Sequence, residues 1–245
     1  MRQTKILFLL SVLFACTLTA KADDPTFKIT AEYRYMVDGE EETGDENTEE
    51  IRSGVSAPLY AVYKSNPTDT IGWDVRYEWT ITRQESSSAP IVHRFDENIE
   101  YTFTMSGTYD VRLVVTAKDK SGKRPDVYYD SAEDIGRMTV SIQKSKLEFP
   151  NTFTPNGDGS NDTFHAKKGY QSIVKFKATI FNRMGQRLYE WDSPTGEWDG
   201  RYHGSIVKDG TYFLVVEARG ADDEEYKIRK TINVITKANR NEGEE

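Results

Sequence analysis

The sequence GTYDVRLVVTA, residues 107–117, has an apolar side chain at every second position from Tyr109 to Ala117. Side chains of a β-strand alternate between two faces, so this period of two indicates a strand with one buried face. The same alternation occurs in segments 27–37, 75–82, 101–105, 174–180, 212–218 and 228–234. No segment after residue 22 sustains the period of 3.6 residues typical of an α-helix. The sequence therefore predicts an all-β protein.

The tripeptide Gly-Thr-Tyr at residues 107–109 occurs again 103 residues later, at 210–212, and an alternating strand follows both copies. In immunoglobulin-like sandwiches, a tyrosine near the start of the sixth strand donates a hydrogen bond back to the chain, an arrangement called a tyrosine corner. A spacing of about 100 residues matches one such sandwich. We therefore predict two tandem immunoglobulin-like β-sandwiches, with Trp79 as the core tryptophan of the first. The alternative is that the two tripeptides coincide by chance.

The first 22 residues have the features of a secretory signal peptide. Arg2 and Lys5 precede the apolar segment 6–15, and Ala-Lys-Ala at 20–22 fits a cleavage site. We predict cleavage after Ala22. Two alternatives remain: lipidation of Cys16, which follows Leu-Phe-Ala, and a buried N-terminal helix.

Charge and cysteine content exclude several classes of protein. The chain has 32 basic and 40 acidic residues, a net charge of -8. Removing residues 1–22 leaves 29 basic residues, so the exported chain carries 29 − 40 = -11. This acidity argues against nucleic-acid binding, and no membrane span is expected after removal of the leader. One cysteine excludes a disulfide framework and a zinc site with several thiolates.

Two features divide the exported chain. Segment 38–50 contains eight acidic residues and no basic one, which predicts a long solvated connection between the first two strands. Pro150 ends a short polar piece after residue 144, which predicts a domain boundary there. The expected organisation is a signal peptide at 1–22, a first sandwich at 23–145 with the acidic loop, a second at 146–237, and a polar tail at 238–245.

The second half contains four distinctive motifs: PNTFTPNGDGSNDTF at 150–164, IFNRMGQ at 180–186, WDG at 198–200 and DGTYF at 209–213. Together they resemble the gliding motility-associated C-terminal domain family, over about residues 147–235. The motif residues are Pro150, Asn151, Phe153, Pro155, Asn156, Gly157, Asp158, Gly159, Asn161, Asp162, Phe181, Asn182, Arg183, Gly185, Trp198, Asp199, Gly200, Asp209, Gly210 and Tyr212. Met184 stands where members of the family usually have tryptophan.

This resemblance implies an immunoglobulin-like sandwich that acts as a type B targeting signal for type IX secretion. The expected partner is then the outer-membrane secretion machinery, and the expected location is the surface or surroundings of a Gram-negative bacterium, or the periplasmic side of its outer membrane. The upstream half is similar to a PKD or related immunoglobulin-like domain, on Trp79 and the segment 107–116. It lacks the usual glycine-aspartate turn of PKD domains.

The glycine-rich loop of the second half has two interpretations. Asn156, Asp158, Ser160 and Asp162 alternate with other residues, as oxygen ligands do at the start of a calcium-binding loop. Lys167 occupies the twelfth position, where an EF-hand has glutamate. The alternative is a tight turn in which the Asn and Asp side chains bond the local backbone and the glycines have positive φ. Calcium is the only cofactor considered.

Trp191 and Trp198, with acidic residues beside them, suggest either a sugar-binding surface or tryptophans that cover one end of a sandwich. Catalysis has little support, because His93, His165 and His203 are scattered and an acid pair such as Glu197 and Asp199 is expected by chance. We therefore expect an exported, non-enzymatic protein with a surface-targeting module and a small passenger. The alternative is an adhesion module of the cell envelope that binds a glycan or a protein.

Overall fold

The computed structural model describes residues 24–85, 89–134 and 138–236. The predicted leader at 1–22 with Cys16 and the predicted tail at 238–245 lie outside the described residues. Within the described ranges, no helix combines the length and the apolar character needed to cross a membrane.

The first half folds as two antiparallel sheets around one core. Its elements are β1 (Thr30–Val37), β2 (Glu40–Asp45), α1 (Glu49–Ser53), β3 (Leu59–Lys64), β4 (Trp73–Arg83), β5 (Val92–Arg94), β6 (Asn98–Phe103), β7 (Gly107–Asp119), β8 (Val127–Asp130), α2 (Ser131–Asp134) and β9 (Met138–Ile142). One sheet has the order β2-β1-β3-β6, and the other has the order β5-β4-β7-β8 with β9 paired to β7. The all-β prediction is confirmed.

Trp79 lies at the centre of this first core, as predicted, and its side chain is fully buried. Its ring lies 6.0 Å from that of Tyr63, which in turn lies 6.0 Å from Tyr33. The indole N–H donates to the carbonyl of Asp96 at 3.1 Å, so the polar atom of this buried side chain has a partner. Burial of each such side chain stabilises the fold by about 1.5–3 kcal/mol.

The acidic segment 38–50 is not the open connection that the sequence predicts. Residues 40–45 form β2, which pairs with β1 from Glu32–Asp45 to Val37–Glu40, and α1 begins at Glu49. The side chains of β2 are almost all exposed, because it is the outermost strand of its sheet. Backbone pairing on one side is compatible with full solvation of the carboxylates, so a run of like charges can still form a strand here.

The second half has one large sheet and a much smaller second layer. Its strands are β10 (Thr152–Phe153), β11 (Phe164–His165), β12 (Ile173–Phe181), β13 (Arg187–Trp191), β14 (Glu197–Trp198), β15 (Arg201–Tyr202), β16 (Ser205–Ile206), β17 (Gly210–Gly220) and β18 (Glu225–Val234). The large sheet has the order β10-β18-β17-β12-β13, while β11–β14 and β15–β16 are two-stranded ladders. Phe164 and Trp198 from the small β11–β14 ladder complete the core against the large sheet.

One position in β12 departs from the predicted alternation. Val174 was expected on the buried stripe with Phe176, Ala178 and Ile180, but 37% of its surface is exposed. The register against β17 shifts between Ile173 and Lys175. This irregularity turns Val174 to the outer face, because an extra residue reverses the alternation of side chains.

The two halves have separate hydrophobic cores, and polar bonds join them across a surface that we call the domain interface. The Oγ atom of the buried Ser172 accepts a hydrogen bond from the Ala57 N–H at 3.1 Å. The same hydroxyl donates a hydrogen bond to the Gln143 carbonyl at 2.7 Å. Ser145 Oγ donates to Asp222 Oδ1 at 2.6 Å.

One residue of the second half also enters the first core. Ala221, in the connection between β17 and β18, is 1% exposed and belongs to the hydrophobic cluster of the first half. Its carbonyl accepts the Ser106 N–H at 2.9 Å. The connections at this end of the second half are therefore held against the first half by both apolar and polar contacts.

Candidate functional site

The glycine-rich loop forms a turn organised by the Asp162 carboxylate. Asp162 Oδ1 accepts the N–H groups of Asn156 at 3.0 Å and Gly157 at 2.6 Å, and its Oδ2 accepts the Gly159 N–H at 2.7 Å. Gly157 and Gly159 have φ of 78° and 84°, a conformation that glycine adopts without a steric penalty. The N–H groups of these two glycines lower the pKa of the Asp162 carboxyl, and the Gly157 N–H has the larger effect.

The second carboxylate of this loop is also used within it. Asp158 Oδ1 accepts the Ser160 N–H at 2.8 Å, and its Oδ2 accepts the Asn156 side-chain amide at 2.8 Å. The turn interpretation therefore describes the geometry of the loop, with both acids bonded to local N–H groups. Calcium binding by Asn156, Asp158, Ser160 and Asp162 stays a prediction. Among the described residues, no three His, Cys, Asp or Glu side chains are grouped so that they could hold a metal ion.

Asn182 organises the turn between β12 and β13. Its Oδ1 accepts the N–H groups of Met184 at 2.9 Å and Gln186 at 3.0 Å. Gly185, at φ 77°, lets the chain reverse. These bonds place Met184 at the tip, where 92% of its surface is exposed, with Arg183 exposed beside it. The motif residues Asn182 and Gly185 thus hold the tip, and Arg183 and Met184 form its accessible surface.

Trp198 packs beneath these loops. It is fully buried, 5.3 Å from the ring of Phe153 and 5.9 Å from that of Tyr212, and its indole N–H donates to the Arg201 carbonyl at 2.9 Å. A Cβ on Gly200 would lie 2.8 Å from Pro155 Cγ, so this contact requires glycine. Tyr212 Oη donates to the Lys208 carbonyl at 2.8 Å.

The loops of the four motifs meet at one end of the second half, which we call the distal pole: residues 154–163, 182–186 and 199–209. The sheet register places them there. β12 ends with Phe181 opposite Phe213, near the start of β17, and Phe153 of β10 pairs with Val234 at the end of β18.

The domain interface lies at the opposite end, where Ile173 pairs with Gly220. β17 connects the two ends, and its 11 residues span roughly 33 Å. The motif residues therefore comprise a buried set that holds the pole together and an exposed set that faces away from the first half. Their spacing along the chain did not reveal this convergence, which depends on the register of the sheet.

The sugar-binding interpretation of Trp191 and Trp198 is wrong, because both side chains are buried. Trp198 is 0% exposed and Trp191 is 7% exposed, so neither ring offers a face to a ligand. Trp191 packs against Phe176 at 6.3 Å and beside Gly196. The alternative prediction, that the tryptophans cover one end of the sandwich, describes their position.

The residues considered for catalysis are not brought together. His93 Nε2 lies 2.8 Å from Glu78 in the first half, whereas His165 Nδ1 bonds the neighbouring Ala166 carbonyl. Glu197 accepts the Thr163 hydroxyl at 2.8 Å. Asp199 Oδ1 accepts the Arg201 N–H at 2.9 Å. Each acid of the considered pair has its own local partner. That the protein is not an enzyme stays a prediction.

Comparison with known proteins supports the family resemblance inferred for the second half of the chain. Residues 147–233 match the family model of the CHU_C type IX secretion signal domain, which confirms the resemblance inferred from the four motifs. No curated protein matches the chain. A crystal structure of a tetra-tandem repeat in the extending region of a large adhesion protein is similar at 12% identity and a TM-score of 0.27, over 88% of this chain and 69% of that chain. This likeness is too low to carry an argument.

Proposed function

We propose that the second half is a type IX secretion signal that takes the first half, a small immunoglobulin-like passenger, across the outer membrane to the cell surface or medium. The observation that carries the proposal is the match of residues 147–233 to the type IX secretion signal domain. The position of the distal pole supports it, because a passenger attached at the opposite end leaves the exposed motif residues accessible to a secretion machine.

The proposed recognition is of a folded surface. The exposed tip residues Arg183 and Met184 are held by Asn182, and the loop 154–163 is held by Asp162. A secretion machine that binds this pole would therefore recognise the folded domain and not a linear sequence. No described residue of the first half belongs to the pole, so the first half would be exchangeable as cargo.

Deletion of residues 147–245 tests the targeting role. In a host with the secretion machinery, we expect the truncated first half to accumulate in the periplasm, while the full chain reaches the surface or medium. Protease shaving and fractionation with an antibody to the first half measure both. Equal surface abundance of the two chains would refute the proposal and would favour the alternative of an envelope adhesion module that binds a glycan or a protein.

A pair of point variants tests the distal pole itself. Met184→Ser changes an apolar side chain that is 92% exposed at the pole, and Ile71→Ser changes one that is 93% exposed in the first half. Both should fold normally, because neither side chain packs in a core. We expect Met184→Ser to lower the surface fraction and Ile71→Ser to leave it unchanged. Equal effects would show that the pole is not the recognised surface.

A further inference from the structure

The large sheet of the second half packs one side on its own core and leaves the other side open. We call the outward side chains of β12, β13, β17 and β18 the outer sheet face. A groove of about 530 Å³ lies on this face, and Thr179, Phe181 and Val215 are among the residues that line it. Every residue of the lining belongs to this one sheet. Among the described residues, no second layer therefore covers this part of the face.

Apolar side chains occupy the part of the outer sheet face next to the distal pole. Phe213 is 40% exposed, and the residue opposite it on β12 is Phe181, which is half-buried. Val215, two residues further along β17, lies opposite Thr179. Outward positions of a sandwich are normally polar. An aromatic pair with a valine beside it is therefore surface that gains free energy when a partner covers it.

Charged side chains cross the same face in a defined order. The row that contains Val215 has Glu190 at its β13 end and Arg229 at its β18 end. In the next row, Lys177 on β12 lies opposite Glu217 on β17. Neither Glu217 nor Arg229 has an ion-pair partner among the described residues. In both rows, unlike charges occupy positions that mirror each other about the line between β12 and β17.

A second copy of the chain has the complementary order on its own outer sheet face. A two-fold axis parallel to the strands, between β12 and β17, reverses the order of the strands and keeps each row at its level. β12 of one copy then lies over β17 of the other, and β13 lies over β18. The facing residues are unlike charges or uncharged side chains, and each contact occurs twice: Lys177 with Glu217, Glu190 with Arg229, Phe181 with Phe213, and Thr179 with Val215.

The size of the face limits how strongly two copies can bind. The 11 residues of β17 span roughly 33 Å and four strands span about 19 Å, so the face measures on the order of 600 Å². The row nearest the first half does not contribute, because Lys175 and Arg219 are both basic. A stable dimer buries about 800 Å² on each partner. We therefore expect weak association, which is favoured where copies are concentrated.

We propose that the outer sheet face binds a second copy of this chain, in a dimer whose two-fold axis runs parallel to β12 and β17. Because this axis keeps the direction of the strands, the two distal poles lie at one end of the dimer and the two first halves at the other. Each copy uses the same surface, so the contact closes at two copies. The dimer is independent of any role of the pole in secretion.

Sedimentation equilibrium of the exported chain, residues 23–245, measures this association. We expect a reversible equilibrium between monomer and dimer with a dissociation constant on the order of 100 µM. High salt should weaken it, because the charge pairs at the rim of the contact are screened. A chain that stays monomeric at millimolar concentration, or that forms species larger than a dimer, would overturn the proposal.

Charge reversal separates contacts between copies from contacts within one copy. Lys177→Glu brings a carboxylate against Glu217 of the other copy, and Glu217→Lys brings an ammonium against Lys177. Each variant alone should dimerise about tenfold more weakly than the unaltered chain. An equal mixture of the two variants should recover dimers, because unlike charges then meet at both contacts. Mixing cannot restore the contact between these two residues within one sheet, so absence of recovery would contradict the dimer.

Two further variants test the apolar part of the contact and its location. Phe213→Ser should weaken dimerisation by about tenfold, and its melting temperature checks that the second half still folds. Glu41→Lys is the matched control for Glu217→Lys, since it makes the same charge change on β2 of the first half, where the side chain is also exposed. Equal weakening by both charge variants would show that the outer sheet face binds the acidic first half of another copy, and would overturn the proposed two-fold contact.

Discussion

The two tyrosine corners have the same hydrogen bond in different surroundings. Tyr109 Oη donates to the Met105 carbonyl and Tyr212 Oη donates to the Lys208 carbonyl, both at 2.8 Å and both four residues back. Tyr109 is 2% exposed beneath two full sheets, whereas Tyr212 is half-buried near the small β11–β14 ladder. The tripeptide determines the local bond, and the size of the second layer determines how much water reaches it.

The largest expected effect comes from the two fully buried tryptophans. Trp79→Ala and Trp198→Ala should each lower the free energy of unfolding by about 3–5 kcal/mol, through lost contacts and a cavity. Only Trp198→Ala should also release the distal pole, because Trp198 joins β14 to Phe153. Urea unfolding and amide exchange of residues 154–163 measure these effects. Protection of that loop in Trp198→Ala equal to that in the unaltered protein would contradict the role of Trp198 in holding the pole.

A variant of Ser172 tests whether the two halves unfold together. Ser172→Ala removes a buried hydroxyl that bonds Ala57 N–H and the Gln143 carbonyl, and it should cost about 1–3 kcal/mol. It should also separate the unfolding of the two halves, since the lost bonds cross the domain interface. Calorimetry measures both, with the exposed Ser205→Ala as control. A single unchanged transition would show that apolar contacts such as Ala221 suffice for coupling.

Removing the hydroxyl of each tyrosine corner should lower the free energy of unfolding by less than the changes above, and the two losses should differ. Tyr109→Phe should cost about 1–2 kcal/mol, because it leaves the Met105 carbonyl without its partner in a buried region. Tyr212→Phe should cost about 0.5–1 kcal/mol, because water can replace the lost donor. Chemical denaturation of the two variants measures the difference. Equal losses would mean that the small second layer excludes water as well as a full sheet does.

The contribution of Asp162 to the stability of the distal pole should depend on pH. Its pKa in the folded state is lowered by the Gly157 and Gly159 amides, so its stabilising contribution is complete above the unfolded value of 3.8 and is lost as the pH falls through the lower folded value. Asp162→Asn should therefore melt at a lower temperature than the unaltered protein at pH 6, with a difference that shrinks in acid. Asp158→Asn is the control in the same loop. A difference that stays constant from pH 6 to 2 would contradict this account.

The smallest expected effect is that of calcium. Because Asp158 and Asp162 accept local N–H groups, we expect excess calcium to change the melting temperature by less than about one degree relative to chelator. A larger rise that is abolished by Asp158→Asn would support a metal-binding loop instead of a turn.

The sequence predicted the long strands in which burial and alternation coincide, but it missed the shorter β3 and β9, which also bury alternate residues. β4, β7 and β17 each bury alternate residues over a long strand, so their apolar positions identified both the strand and its buried face. β2 was missed because its exposed side chains carry no apolar alternation. The strands β10, β11 and β14–β16 are two residues long, which is too short for a period to be visible.

The sequence could not predict that the motif loops lie together, for a different reason. Loop 154–163 and turn 182–186 lie at the same end of the large sheet only because of the register of β10, β12, β17 and β18. The domain interface was likewise hidden, because nothing in the sequence marks Ser172 and Ala221 as contacts of the first half until the pairing of β12 with β17 is known. Both features depend on pairings between distant segments.

The position of β2 at the border of its sheet has a consequence for crowded conditions. Its free backbone groups would accept a strand from another molecule, but residues 40–45 carry carboxylates that a second copy would bring against its own. Such self-repulsion is a common protection against fibre formation. Copies of this protein packed at high density therefore resist polymerising through this strand.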